Sequence, residues 1–236
     1  MRHRHAIALA AIAGTFLGGP LAAQRREIAV TAGVNYTGAT GGGLSKSTPK
    51  MGFLAGVSIR LPRTSRFSFQ TEFLIVERRL LGERPPSTQS PTFVGPRTDF
   101  ARLFYAQVPL LLRFQQGYSA VRPVRPFLVL GPYLAIRMSC RRDATTDAGD
   151  KVRNDCSPTP TNVLPGVDPF IPAAYHTLDV GLLGQFGVEL RRFAVSVRGE
   201  RSFTSLVEPG AVPTSPFDKA RLWTGSVVLE YMLRVL

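Results

Sequence analysis

The clearest alternation of apolar and polar residues lies in the C-terminal part of the chain, from Leu178 to Phe203. As far as Leu190, every second residue is apolar or glycine and the residues between are mostly small or polar, which is a period of two. Only the dipeptide Arg191-Arg192 interrupts this pattern before it resumes. The pattern predicts a β-hairpin with a very tight turn. Its strands, of ten residues or more, are long enough to cross a hydrocarbon layer at a tilt.

Six further stretches alternate in the same way, which brings the number of predicted strands to eight. These stretches are Glu27–Tyr36, Met51–Leu61, Phe67–Val76, Phe100–Phe114, Phe127–Arg137 and Leu222–Val235. The breaks at 38–49, 79–98, 138–174 and 204–218 are long, those at 62–66 and 191–192 are short, and 115–125 is intermediate. Alternating short turns and long loops are typical of a small up-and-down outer-membrane barrel whose termini lie in the periplasm.

The N-terminus carries the features of a secretory signal peptide. Arg2 and Arg4 precede an apolar run from Ala6 to Leu17, and small residues follow before Gln24. We therefore predict a signal peptide at residues 1–23 and a barrel domain at residues 24–236. No later segment approaches the ~18 continuous apolar residues of a transmembrane helix, so a membrane-spanning mature chain has to be a barrel.

The polar face of the strands distinguishes a membrane barrel from a soluble one, which would alternate with the same period. A wall that faces water should carry lysines, but the chain has four lysines and we expect all of them in loops. The polar face instead carries small residues and charges of both signs, which a narrow lumen can bury as ion pairs. The predicted lumen network is Arg60, Glu72, Arg113, Asp179, Glu189, Arg198, Glu200 and Glu230.

The fourth strand is apolar on both faces, so its facing has to be argued. Placing Leu110 and Leu112 outward turns Gln107 and Arg113 inward, and we adopt that arrangement. Aromatic residues should form two belts at the membrane interfaces. Near the short turns we expect Phe67, Phe69, Phe114, Phe127, Phe193 and Tyr231, and near the long loops Tyr36, Phe53, Phe104, Tyr133, Tyr175, Phe203 and Trp223.

Two segments carry a resemblance to a known family. They are Tyr105-Ala106-Gln107-Val108-Pro109-Leu110-Leu111 and the following Gly131-Pro132-Tyr133. With the glycine-rich stretch before the last hairpin, the chain resembles the bacterial outer-membrane β-barrel domain family that includes PorT and is similar in architecture to the OmpA transmembrane domain. The resemblance implies location in the bacterial outer membrane and an all-β, eight-stranded antiparallel transmembrane barrel. The chain departs from many such barrels in ending on Leu236 rather than an aromatic residue.

Charge and composition exclude several functions. The net charge is +13, yet the basic residues are not clustered with aromatic residues as nucleic-acid binding requires. No glycine-rich phosphate loop or metal-ligand cluster is present, so we expect no cofactor and no metal. Asp147 and Asp150 are interpreted as solvated loop residues. His176, the one histidine after the signal peptide, is expected to be interfacial rather than catalytic.

Cys140 and Cys156 both fall in the longest break. In an exported chain this pair indicates one disulfide, which would order an exposed loop. Closing a loop of this length is worth on the order of 3 kcal/mol in the chain-entropy model.

Together these patterns predict a non-enzymatic barrel, filled by side chains, that anchors extracellular loops for envelope structure, surface contact or a secretion assembly. The expected partners are outer-membrane lipid and lipopolysaccharide, the barrel assembly machinery during insertion, and an envelope or secretion protein. Two alternatives remain open: a lipid-modifying hydrolase or acyltransferase that uses His176, and a soluble periplasmic ligand-binding barrel.

Overall fold

The computed structural model describes residues 26–41, 44, 46–62, 64, 66–83, 96–116, 124–146, 151–154, 175–207 and 219–234. These residues form the strands β1 (Glu27–Thr40), β2 (Lys46–Pro62), β3 (Phe67–Glu83), β4 (Pro96–Gln115), β5 (Val124–Thr146), β6 (Lys151–Asn154), β7 (Leu178–Leu190), β8 (Phe193–Ser205) and β9 (Arg221–Arg234). Within these ranges, no helix is long and apolar enough to cross a membrane.

Eight of the strands close into an antiparallel barrel. Each long strand pairs with the next long strand along the chain, and β9 returns to pair with β1 from Glu27↔Arg234 to Thr40↔Arg221. The short strand β6 pairs only with the loop end of β5 and lies outside this closed ring, because β5 pairs directly with β7. Closure leaves no open sheet edge, so the backbone hydrogen-bonding groups of the wall are satisfied within the barrel.

The barrel is apolar outside and polar inside, the reverse of a soluble barrel. Strand β8 alternates strictly between exposed and buried residues, with Val197 64% exposed and its neighbour Arg198 completely buried. The other strands place valine, leucine, isoleucine and phenylalanine on the outer surface in the same way. An apolar exterior of this extent requires lipid around it. The predicted eight-stranded transmembrane barrel is therefore confirmed, and the soluble alternative is wrong.

The facing of the fourth predicted strand, now β4, agrees with the expectation from sequence. Leu110 and Leu112 are 64% and 47% exposed, whereas Gln107 and Arg113 are completely buried. The inward polar residues decide the facing because lipid would leave a guanidinium or an amide without partners.

The aromatic belts form only in part. At the turn end, Phe67 packs on Phe114 with ring centroids 5.2 Å apart, and Phe193 packs on Tyr231 at 5.0 Å. All four rings face outward. At the loop end, the exposed rings include Tyr36, Phe53 and Phe203.

Three residues predicted for the belts are buried in the barrel instead: Phe127, Tyr133 and Tyr175. Phe127 and Tyr133 lie directly opposite Gly187 and Gly181 of β7. A Cβ atom at those glycines would come within 2.7 Å of the Phe127 ring and 2.6 Å of the Tyr133 ring. The rings thus occupy space that the glycines leave empty, which favours the inward orientation.

Several strands extend further toward the loops than the apolar alternation indicated. Strand β2 begins at Lys46, and β5 continues to Thr146. The expectation that all lysines lie in loops is consequently wrong, since Lys46 and Lys50 lie in β2 and Lys151 lies in β6. Backbone pairing continues beyond the membrane, where side chains on both faces are polar and the alternation disappears. The predicted signal peptide lies outside the described residues and stays a prediction.

Val227 offers a direct test of the lipid-facing wall. It is 54% exposed and lies midway along β9 between the outward Trp223 and Tyr231. We expect Val227→Arg to lower the free energy of unfolding in vesicles by ~2–4 kcal/mol, because the charge would lie near the bilayer midplane. Urea titrations of the protein in vesicles measure this difference.

The matched controls for this variant are Val227→Leu and Ser226→Ala. Val227→Leu keeps the outer surface apolar, and the buried Ser226 hydroxyl makes no hydrogen bond to the described residues. Both should change the folding free energy by less than about 1 kcal/mol. Equal tolerance of arginine and leucine at Val227 would contradict a lipid-facing position.

Candidate functional site

The barrel interior is the chemically distinctive part of the molecule. All eight residues predicted for the lumen network lie at 7% exposure or less, on strands β2, β3, β4, β7, β8 and β9. They are brought inside by the period of two, which places every second residue of each strand on the lumen face. The structure arranges them, with additional residues, in three tiers along the barrel axis.

The tier at the turn end contains two arginines and two glutamates. Arg60 Nη1 donates to Glu189 Oε2 at 3.0 Å and Arg60 Nη2 to Glu230 Oε2 at 3.3 Å. Arg113 Nη2 donates to the same Glu189 oxygen at 2.8 Å. Arg113 Nη1 also lies 4.0 Å from Glu230 Oε2, so each glutamate is paired with arginines from more than one strand. Glu27 closes the end of the tier at 2.9 Å from Arg60.

The middle tier is built around one ion pair between opposite sides of the barrel. Arg198 Nη2 donates to both carboxylate oxygens of Glu72, at 2.9 and 2.7 Å. Gln185 accepts two further hydrogen bonds from Arg198, at 3.1 and 2.8 Å, and Gln70 donates to Glu72 at 2.7 Å. The carboxylate and the guanidinium are both completely buried, and one glutamine holds each of them.

The tier at the loop end is centred on Arg78. Its guanidinium donates to Asp179 at 2.6 Å, to Glu200 at 2.9 Å and to Gln107 at 3.2 Å. Tyr133 donates to Asp179 at 3.1 Å. This arginine is completely buried, and it joins β3 to β7, β8 and β4.

Three residues of the network were not predicted from the sequence: Arg78, Gln70 and Gln185. Arg78 lies two residues beyond the predicted end of the third strand, but it continues the inward face formed by Glu72, Leu74 and Val76. Extending that even-numbered alternation would have found it. The glutamines lie at inward positions of the alternation, but nothing in the sequence shows which charge they contact.

Hydrogen bonds connect the middle tier with the tier at the turn end. Gln185 donates to Glu230 at 3.1 Å, and Arg113 donates to Gln70 at 3.4 Å, so the middle tier is joined to the turn end. Buried charges are tolerable only when they are paired and hydrogen-bonded, and these contacts supply both conditions. Side chains from opposite walls meet in each tier, so the arrangement fills the lumen rather than lining a channel.

His176 lies above the loop-end tier, beside a small pocket lined in part by Tyr105, Asp179 and Ser202. The pocket volume is about 10 Å³, which is room for roughly one water molecule. The Ser202 hydroxyl donates to Asp179 and to the Thr204 carbonyl. Within the described ranges, no hydrogen bond joins the His176 side chain to a serine.

Two further predictions from the sequence concern metal and disulfide chemistry. Among the described residues, no group of three or more histidine, cysteine, aspartate or glutamate side chains is arranged to hold a metal ion. Cys140 lies in β5, whereas Cys156, Asp147 and Asp150 lie outside the described residues. The Cys140–Cys156 disulfide therefore stays a prediction.

Comparison with known proteins identifies one matching family. The model of the outer membrane protein beta-barrel domain family matches residues 21–208. No curated protein matches the chain.

Solved structures similar to this chain include three small barrels. Ail of Yersinia pestis, solved also with the heparin analogue sucrose octasulfate, is 11% identical with a TM-score of 0.41, over 89% of this chain and 99% of its own. OprG of Pseudomonas aeruginosa is 9% identical with a TM-score of 0.44, over 90% of this chain and 98% of its own. Neisserial surface protein A is 12% identical with a TM-score of 0.38, over 86% and 96%.

The middle tier generates a test of coupling between Glu72 and Arg198. Because each charge is buried, Glu72→Gln or Arg198→Met alone should destabilise the barrel by about 3–5 kcal/mol. The double variant should lose clearly less than the sum of the two single losses, since it leaves no unpaired charge. Denaturant unfolding in vesicles gives the four free energies of this double-mutant cycle.

The matched control is a second cycle that combines Glu72→Gln with Asp179→Asn. Asp179 belongs to the loop-end tier and shares no hydrogen-bond partner with Glu72. We expect additive effects within about 0.5 kcal/mol in this cycle. Additive effects in the Glu72 and Arg198 cycle would show that the two residues do not stabilise each other.

Proposed function

Because the chain belongs to the outer membrane protein beta-barrel domain family and lies in the outer membrane, we propose that it is a non-enzymatic envelope protein. Its barrel acts as a rigid, closed support that holds long loops at the cell surface for contact with ligands or partner proteins. The observation that carries this proposal is the filled interior, in which buried ion pairs join opposite walls at three levels.

A filled interior argues against a transport function. Eight strands leave a lumen just wide enough for side chains, and here those side chains are long and held by several hydrogen bonds each. Opening a path would require breaking a buried pair such as Arg198 with Glu72, which is costly when one partner is left without the other. The loops therefore provide the surfaces on which the proposed function depends.

The enzymatic alternative rests on His176 and finds little support in the geometry. A general base has to lie within hydrogen-bond reach of a nucleophile or through one water. Ser202 is the buried hydroxyl of the same pocket, and it donates to Asp179 rather than to the histidine. The pocket volume of about 10 Å³ also excludes an acyl chain.

The same proposal includes the subgroup of the family, the machinery that inserts the barrel and the partner at the surface. Within the family, we place the chain with the PorT-type barrels on the strength of the Tyr105–Leu111 and Gly131–Tyr133 segments. During insertion, the barrel assembly machinery would act on the alternating strand β9. The partner at the surface is an envelope or secretion protein, and the predicted Cys140–Cys156 bond would order part of the surface that it contacts.

A comparison of lipid A profiles tests the non-enzymatic assignment. We expect identical profiles, by mass spectrometry, from cells that contain the wild type, His176→Ala or no protein. A catalytic His176 would instead make one lipid species depend on the wild-type protein, since loss of a general base typically lowers a rate 10²-fold or more. Heat-modifiable gel mobility confirms that the variant is folded.

Tags placed at the two ends of the barrel test the proposed orientation. A short epitope inserted within 155–174, between β6 and β7, should be labelled by antibody on intact cells. The same epitope inserted within 117–123, between β4 and β5, should be labelled only after the outer membrane is permeabilised. The reverse pattern would place the long loops in the periplasm and contradict the proposed surface function.

A further inference from the structure

Four basic residues form a row across the outer surface of the barrel near its loop end. The strand register pairs Lys50 with Arg79, Arg79 with Arg102, and Arg102 with Arg141. The row, here called the cation row, therefore crosses β2, β3, β4 and β5 without interruption. It is separate from the lumen network, because its side chains lie on the opposite face of the wall.

Burial of the neighbouring residues establishes that the row faces outward. Arg78 and Leu80, on either side of Arg79, are completely buried, whereas the Arg79 side chain is 37% exposed. The same alternation holds around the Arg102 side chain, which is 36% exposed and lies 5.0 Å from the centre of the Phe104 ring. Arg141 is exposed and shares this face with its direct partner Arg102. Lys50 is half-buried and lies at a β-bulge of β2 beside the exposed Met51, where its β1 partner Thr37 is buried and its β3 partner Arg79 faces outward. The pairing with Arg79 places Lys50 beside the three arginines of the row.

The depth of the row follows from strand geometry. Arg79 lies twelve residues beyond Phe67, the aromatic residue at the turn end of β3. At about 3.3 Å per residue and a strand tilt of about 40°, this separation corresponds to about 30 Å along the barrel axis. Since the apolar band of such barrels is about 25 Å tall, Arg79 lies just beyond the hydrocarbon, at the level of the lipid headgroups. The rest of the row follows the strand pairing and is inclined to the membrane plane because the strands are tilted.

The row is electrostatically unfavourable without a ligand. Like charges directly opposite each other on neighbouring strands destabilise a sheet, and here three such contacts follow one another. One carboxylate offsets part of this repulsion, because Glu77 accepts hydrogen bonds from Arg79, at 2.9 Å, and from Arg102. Lys50 and Arg141, at the two ends of the row, have no ion-pair partner among the described residues.

We propose that the cation row binds the phosphates of a glycolipid in the outer leaflet of the membrane. Arginine is suited to this role because its planar guanidinium can donate two parallel hydrogen bonds to one phosphate. With about 4.8 Å between neighbouring strands, the four side chains span about 15 Å, a width that accommodates a headgroup with two phosphates. The assignment to the outer leaflet rests on the orientation proposed above.

The surface next to the row favours a lipid over a soluble anion. Directly toward the membrane lie exposed apolar side chains, including Met51 at 55%, Phe53 at 42% and Ile75 at 51% exposure. Phe53 also packs edge-on against Phe104, with ring centroids 6.2 Å apart. Acyl chains can therefore lie against this wall while the phosphates of the same molecule reach the arginines.

Binding of lipid A in mixed detergent micelles tests the proposal. The probes are lipid A with two phosphates, the same lipid after removal of both phosphates, phosphatidylglycerol, and inorganic phosphate. Isothermal titration should show wild-type protein binding the phosphorylated lipid A more tightly than the other three. The double variant Lys50→Gln/Arg141→Gln should bind it about 30-fold more weakly, at roughly fivefold per lost cation.

A variant with the opposite expected effect sharpens the test. Glu77→Gln removes the carboxylate that neutralises Arg79 and Arg102, so it should bind phosphorylated lipid A about 5-fold more tightly. The matched control is Arg191→Gln/Arg192→Gln, which removes two exposed arginines from the turn at the other end of the barrel. It should leave the affinity unchanged. Heat-modifiable mobility is checked for each variant before titration.

Each outcome supports or overturns the proposal. Equal binding of phosphate-free lipid A, of phosphatidylglycerol or of inorganic phosphate would overturn it, as would an unchanged affinity of the Lys50→Gln/Arg141→Gln variant. An unchanged or weaker affinity of folded Glu77→Gln would overturn the neutralising role of that carboxylate. A micelle has no inner and outer leaflet, so these titrations do not depend on the orientation of the barrel in the membrane. An incorrect orientation would be seen only with the epitope tags.

Discussion

The pairing of the first strand with the last is the contact on which the rest of the structure depends. Lipid offers no hydrogen bonds to an exposed strand edge, so a sheet can span the membrane only when it closes. The ladder from Glu27↔Arg234 to Thr40↔Arg221 achieves this closure. Closure at eight strands also sets a narrow lumen, and the charged side chains of the lumen network must then find their partners within that lumen.

The charged interior is a consequence of this narrowness rather than a separate feature. An arginine such as Arg78 or Arg198, fully buried in the wall of the barrel, would be very costly without a carboxylate beside it. Each of these arginines meets a carboxylate from across the lumen. Arg198 and Glu72, for example, lie on strands that face each other and are not paired by backbone hydrogen bonds. The ion pairs thus fill the space that a channel would need, and they favour one arrangement of the strands around the lumen.

The sequence predicted the part of this arrangement that follows from local periodicity. Within the membrane, the period of two distinguishes the two faces of a strand, and it correctly identified the barrel and the inward facing of Gln107 and Arg113. The period of two failed for two aromatic residues and for the ends of the strands. Phe127 and Tyr133 lie in a strand whose faces are both apolar, and their inward facing depends on glycines of β7. The strand ends were placed too early because alternation stops at the membrane boundary while backbone pairing continues, which hid Arg78 and placed Lys50 in a loop.

The cation row shows why register carries information that periodicity does not. Lys50, Arg79, Arg102 and Arg141 have no regular spacing in the sequence, and only the stagger of four neighbouring strands aligns them. The arginines of the lumen network and the residues of the cation row also have different surroundings. Inside the barrel, Arg60, Arg78, Arg113 and Arg198 are each paired with a carboxylate. On the outer surface, at the headgroup level, one carboxylate faces four cations, and an anionic lipid can supply the balance that the protein itself leaves incomplete.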